Sequence, residues 1–170
     1  MKKLFFMLVA VAGLSLASCA GGDNAASGSS AASVEVPADA KTVDLKAFSV
    51  ALPAPLEVSY QGEDMLNAQA EGPISFDITY NDMGPTVSQL KETATNYVNM
   101  KKNAGETVGE PEIDGNTMRL RSVLDGEVSL TFVKIFDGTK CVAGSLKCPE
   151  AKEADCKPVL EQILKSVKLK

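Results

Sequence analysis

Three Asp-Gly pairs, Asp114-Gly115, Asp125-Gly126 and Asp137-Gly138, recur at 11- and 12-residue intervals between runs of β-prone residues. Glycine accepts the positive φ that a tight reversal needs, so this rhythm confines the segment to antiparallel hairpins. It predicts a four-stranded meander from about Thr107 to Leu146. Met118, Leu120 and Leu124 line one face of their strand, and Val128, Leu130 and Phe132 one face of the next. A strict two-residue turn at Asp125-Gly126 sets Leu130 against Arg121, whereas a three-residue loop sets Leu124 against Val128 and Leu120 against Phe132. A slip of one residue moves every side chain to the other face. Matching the apolar faces therefore selects the three-residue loop, with Gly126 left-handed and Arg119 and Arg121 turned away from that core face.

Before the meander, Ile74, Phe76, Ile78 and Tyr80 alternate with Ser75, Asp77 and Thr79, the period of a half-buried strand. Val43, Leu45, Phe48, Val50 and Leu52 trace one extended segment that Pro53 and Pro55 stop, and Leu56 to Tyr60 and Met65 to Ala70 read as short strands. Thr86 with Gln89 forms a capping box ahead of Val87, Leu90, Ala94, Tyr97 and Val98 at helical spacing. Lys101, Lys102, Asn103 and Gly105 supply the stop, which gives a helix from about Val87 to Lys102. At the far end Val159, Leu160, Ile163, Leu164 and Val167 share one helical face, with Asp155 as N-cap and Pro158 in the first turn. Strands followed by helices that must bury one stripe give an α+β architecture, an antiparallel, meander-rich sheet covered by two helices.

The first residues have a different character. Lys2 and Lys3 precede an apolar run from Leu4 to Leu14, the layout of an export signal. Eleven residues are too few to cross a bilayer, which takes about 20. Leu16-Ala17-Ser18-Cys19 resembles the lipobox of bacterial lipoproteins. That resemblance implies removal of residues 1–18 and acylation of Cys19 with palmitate-type chains. Each buried methylene contributes about 0.8 kcal/mol, so two or more chains anchor a protein in a membrane with no segment crossing it. Ala20, in place of the aspartate associated with inner-membrane retention, implies the outer membrane. From Ala20 to Ser33 the chain is nearly all Ala, Gly and Ser, too poor in apolar surface to fold. Residues 19–40 then form a lipidated terminus and flexible linker of roughly 25 Å root-mean-square reach, and 41–170 a single domain.

Composition limits the chemistry. The chain has 17 basic and 22 acidic residues, and losing the two signal lysines takes its formal charge from −5 to about −7. That balance disfavours nucleic acid, which is bound by exchanging counterions for Lys and Arg. With no histidine, the chain supplies no histidine-dependent nucleophile and no histidine-ligated metal. No cofactor or metal site is expected. Besides Cys19 there are Cys141, Cys148 and Cys156. Outside the inner membrane thiols tend to oxidise, so Cys148 and Cys156, flanking a short segment before the last helix, are the candidate disulfide, and Cys141 is a small core residue. A thiol redox or metal trio would need a CxxC-type spacing that is absent. Asp77, Asp82, Glu110, Glu112 and Asp114 could converge on a cation or an acid–base pair, but their spacing fits no calcium loop, and turns and solvated strand faces account for them. Of Tyr60, Tyr80, Tyr97, Phe48, Phe76, Phe132 and Phe136, most belong to the core.

The order of elements resembles the PsbP/Mog1-like fold. The features that carry it are the Phe48-Ser49-Val50-Ala51-Leu52-Pro53 strand, the Ile74 to Tyr80 strand leading into the Thr86 to Lys102 helix, the turn-rich meander and the closing Val159 to Val167 helix. They cover most of Lys41 to Lys170. Proteins of that fold are mostly accessory or binding modules, which implies a non-catalytic envelope module acting on a protein or envelope component through the sheet face or loops opposite its helices. A small-ligand or metal carrier and a carboxylate-based hydrolase are the alternatives.

Overall fold

The computed structural model describes residues 39–170. The signal at 1–18, Cys19 and the linker up to residue 38 lie outside the described residues. The first two strands, β1 (Lys41–Asp44) and β2 (Phe48–Leu52), pair antiparallel, with Lys41 opposite Leu52 and Asp44 opposite Ser49. The single extended segment expected from Val43 to Leu52 is thus a hairpin. Leu45 N–H donates to the Phe48 carbonyl at 2.9 Å and closes the turn. Leu45 is itself buried, so the apolar period runs through the reversal and conceals it.

The main sheet is built from β3 (Glu57–Gln61), β4 (Met65–Ala70), β5 (Ile74–Asn81), β6 (Thr107–Val108), β7 (Glu112–Asp114), β8 (Thr117–Leu124), β9 (Glu127–Asp137) and β10 (Lys140–Pro149). Its order is β3-β4-β5-β10-β9-β8, and β6 and β7 share the outer edge of β8. The expected meander is present as β7 to β10, each junction turning at one of the Asp-Gly pairs, with Gly115, Gly126 and Gly138 all at positive φ.

The register at the middle turn differs from the expectation. Leu124 faces Glu127, Val123 faces Val128, Arg121 faces Leu130 and Arg119 faces Phe132, so Asp125-Gly126 is a two-residue turn with φ of 50° and 78°. Gly126 is left-handed as expected, but Arg119 and Arg121 share the face of Phe132 and Leu130. The expectation assumed one apolar face for each strand. The middle of the sheet is instead covered on both sides, and from Val128 to Val133 every residue of β9 is buried. Leu124, which would have needed a buried partner, lies at the exposed end of β8.

Two helices provide the covers. α1 (Leu90–Asn103) follows one turn of 3-10 helix at Val87–Gln89, where Gln89 Oε1 accepts from Thr86 N–H at 2.9 Å, the reaching-back half of a capping box. It ends where Gly105, at φ 84°, donates to the Lys102 carbonyl at 3.0 Å. Leu90 and Ala94 pack on Met118, Val133, Ile135 and Cys141.

α2 (Glu153–Ser166) follows a 3-10 turn at Glu150–Lys152. It begins before the expected Asp155 cap, so Lys152 occupies the N-cap and Pro158 lies in the second turn. The reason is local: the 3-10 turn carries the chain into the helix, and Glu153 and Asp155 complement the dipole from the first turn. β11 (Lys168–Leu169) then pairs with β2, completing a three-stranded sheet of order β1-β2-β11. This small sheet and α2 cover the other face of the main sheet. Phe48, Leu160 and Ile163 meet Phe76, Phe132 and Leu146 there, and the Phe76 and Phe132 rings stack at 6.3 Å.

Candidate functional site

The two-residue turn decides which side chains reach α2. With Arg121 opposite Leu130 and Arg119 opposite Phe132, both guanidinium groups extend from β8 toward the helix. Arg119 Nε and Nη2 donate to Glu161 Oε1 and Oε2 at 2.7 and 2.9 Å. Arg121 Nε and Nη2 donate to Glu153 Oε1 and Oε2 at 2.7 Å each, and Arg121 also reaches Glu150 at 3.4 Å. Lys157 Nζ lies 2.9 Å from Glu153 Oε1. The Arg121 guanidinium, with Lys157 second, holds the Glu153 carboxyl down at about 2. The same pairings push Arg119 and Arg121 above their ordinary value. On α2, Glu153, Lys157 and Glu161 follow one another at intervals of four, so all three lie on one face.

Arg119, Arg121, Lys157 and Glu161 wall a cleft of about 280 Å³ between α2 and the β7–β8 edge. Leu130 of β9 and Leu160 of α2 contribute its apolar lining, and both are buried. Glu110 and Glu112 complete the rim; both are exposed, and among the described residues neither lies within 4 Å of a cation. The cleft therefore holds three basic groups already paired with carboxylates, and two carboxylates in no direct ion pair among the described residues, though Glu112 lies opposite Arg119 and adds to its stabilisation. Sequence reasoning placed Glu110 and Glu112 among turn and strand-face acids and turned both arginines away. The signal that could have found the site is the match between Arg119-x-Arg121 on a strand and the Glu153/Lys157/Glu161 stripe on a helix.

A second cavity, of about 270 Å³, opens beside the start of α2. Leu56, Ile74, Leu146, Cys156 and Val159 line it, with Glu71, Lys152 and Asp155 also at its wall.

The expected bridge between Cys148 and Cys156 is not formed. The structure brings the two together in the core between β10 and α2, but both are free thiols. Burial, and then the Cys156 thiol beside it, push the Cys148 thiol up to about 12. In that setting the reduced groups pack as small apolar side chains. Cys141 lies on the other face of the sheet in the cluster under α1, the core position expected of it, and burial raises its thiol too.

The five acids considered for a cation or acid–base site do not converge. Asp77 accepts from Ser145 Oγ at 2.6 Å on the α1 side, Glu110 and Glu112 rim the cleft on the α2 side, Asp114 ends β7, and Asp82 lies in the loop after β5. Among the described residues, no three metal-type ligands come together. Of the aromatic residues, Phe48, Phe76 and Phe132 are core, Tyr80, Tyr97 and Phe136 are partly buried, and Tyr60 is 54% exposed.

No protein-family model and no curated protein matches the sequence. Among solved structures, the chain is similar to the Ran-binding protein Mog1p of Saccharomyces cerevisiae, with a TM-score of 0.56 at 11% identity, over 77% of this chain and 95% of that one. It is also similar to cyanobacterial PsbP from Synechocystis, with a TM-score of 0.53 at 12% identity, over 72% of this chain and 86% of that one. These likenesses show the fold: antiparallel sheets with two helices in the PsbP/Mog1-like arrangement.

Proposed function

We propose that the chain is a non-catalytic binding module of the bacterial cell envelope, cut before Cys19, anchored at the outer membrane by acyl chains on Cys19, and engaging an envelope protein through the cleft beside α2. The observation that carries this reading is the cleft itself, where a leucine-lined recess sits among charged groups held rigidly between a two-sided sheet and a helix. Recesses of this kind anchor a partner's side chain, and contacts around them exclude water. The fold supports the reading by analogy, since Mog1p is described as binding a protein, and analogy of fold raises a prior without fixing a function. The long Ala/Gly/Ser stretch suits a domain that searches for its partner at a membrane surface.

The test is site-specific photocrosslinking in cells, from position 157 at the cleft and from Lys91 on the exposed side of α1. A discrete adduct from position 157 alone supports the reading, and identical background from both positions contradicts it. The second cavity favours one other reading, a carrier of a small apolar ligand. Release of a discrete small molecule on denaturing the purified protein would support that alternative.

A further inference from the structure

We infer that the cleft beside α2 takes a basic segment of the partner protein, seating one apolar side chain between Leu130 and Leu160 while flanking lysine or arginine side chains meet Glu110 and Glu112. The inference rests on the binding-module reading and adds the chemistry of its partner.

An acidic or phosphorylated segment would be recognised by arginines with free donors. Arg119 and Arg121 keep spare N–H donors on Nη1, but the charge of each is already balanced by a glutamate. Each already spends its Nε and Nη2 on both oxygens of one glutamate, and these are short, charge-assisted, two-point bonds. An incoming anion would find these guanidinium charges already balanced, and taking over their two-point bonds would leave Glu161 or Glu153, both partly buried, without its cation. Lys157 is likewise engaged by Glu153. The carboxylates without a direct ion pair at the rim are Glu110 and Glu112, and although Glu112 and Asp114 act on Arg119 from a distance, the surplus charge there is negative.

The size of the recess agrees. A cavity of about 280 Å³ falls just under the range of roughly 300–1,000 Å³ that holds drug-sized ligands and cofactors, and suits an anchor side chain. Most of its lining belongs to β8, β9 and α2, with Glu112 on β7 and only Glu110 in the loop before it, so a partner gains most contacts without first ordering a loop. The chain's formal charge of −5 draws a basic partner and repels an acidic one.

The experiment uses the full chain, isotope-labelled, in detergent micelles, with two blocked peptides as probes: Gly-Lys-Leu-Lys-Gly and the charge-reversed Gly-Glu-Leu-Glu-Gly. The lysine peptide is expected to shift the amide resonances of Leu130, Leu160 and Glu112 saturably. Added salt should weaken this binding, and E110Q/E112Q should weaken it about three- to tenfold, the loss of two exposed charge pairs. Both glutamates are exposed, so that variant keeps the native spectrum elsewhere. Equal or tighter seating of the glutamate peptide overturns the inference and leaves the binding-module reading standing. Undiminished affinity in E110Q/E112Q, or no cleft shifts with either peptide, also overturns it. Crosslinking from position 157 judges the binding reading separately.

Discussion

Arg121 on β8 grips Glu153 at the start of α2 through two hydrogen bonds of 2.7 Å, two guanidinium nitrogens to two carboxylate oxygens. Both groups are ionised across the neutral range, and the pair fastens the helix to the sheet at the cleft. The Glu153 carboxyl, ordinarily at 4.5, is held at about 2 in the folded protein. A carboxyl depressed in this way contributes stability that is fully present above its unfolded value and is lost as pH falls through its folded one. Unfolding by urea, followed between pH 6 and 2, is expected to show stability falling most steeply below pH 4.5. E153Q is expected to cost about 1 kcal/mol near neutrality and to flatten that acid limb.

Burial on both faces of β9 gives a prediction that a one-faced sheet does not share. Phe132 points into the core under α2 and Met118, on the neighbouring strand, into the core under α1, and both are fully buried. Phe132→Ala is expected to cost about 3–5 kcal/mol and Met118→Ala about 2–5 kcal/mol in denaturant midpoint measurements. A near-neutral Met118→Ala would mean that α1 covers no core.

The turn at Asp125-Gly126 can be tested from its ends. Gly126 sits at φ 78°, so Gly126→Val is expected to destabilise by about 1–2 kcal/mol. Leu124 is 43% exposed, and Leu124→Thr should change stability by less than about 0.5 kcal/mol. A loss of several kcal/mol at Leu124 would restore the three-residue loop, in which that side chain is buried against Val128.

Pro158 lies in the second turn of α2 on its exposed side, and having no N–H it leaves the Ala154 carbonyl without the usual helical partner. Pro158→Ala restores that bond and relaxes the ring's clash, at the cost of a freer unfolded chain. The expected net gain is about 1–2 kcal/mol, read from the thermal midpoint.

The parts of this fold that the sequence made legible are those with a local cause. The Asp-Gly pairs dictate hairpins because glycine alone adopts the left-handed angle without strain, and Ile74 to Tyr80 alternate because one side of β5 meets the core. α1 is bounded by Gln89 at one end and Gly105 at the other, both readable as signals. What stayed hidden depends on layers that meet only after folding. The register of β8 against β9 looked wrong from the apolar pattern because β9 has two buried faces, and that one slip concealed the cleft by turning Arg119 and Arg121 the wrong way. The reversal between β1 and β2 was hidden by Leu45, which is buried inside the turn. The bridge expected from the spacing of Cys148 and Cys156 is not formed: the two lie together in the core as free thiols, an outcome that spacing does not reveal.

The central claim is a folded binding module held at a membrane through Cys19, and the intact mass of the protein extracted from membranes tests it most directly. The account predicts a chain lacking its first 18 residues and carrying the added mass of acyl chains at its new N-terminus. An unmodified chain, recovered in the soluble fraction, would contradict it.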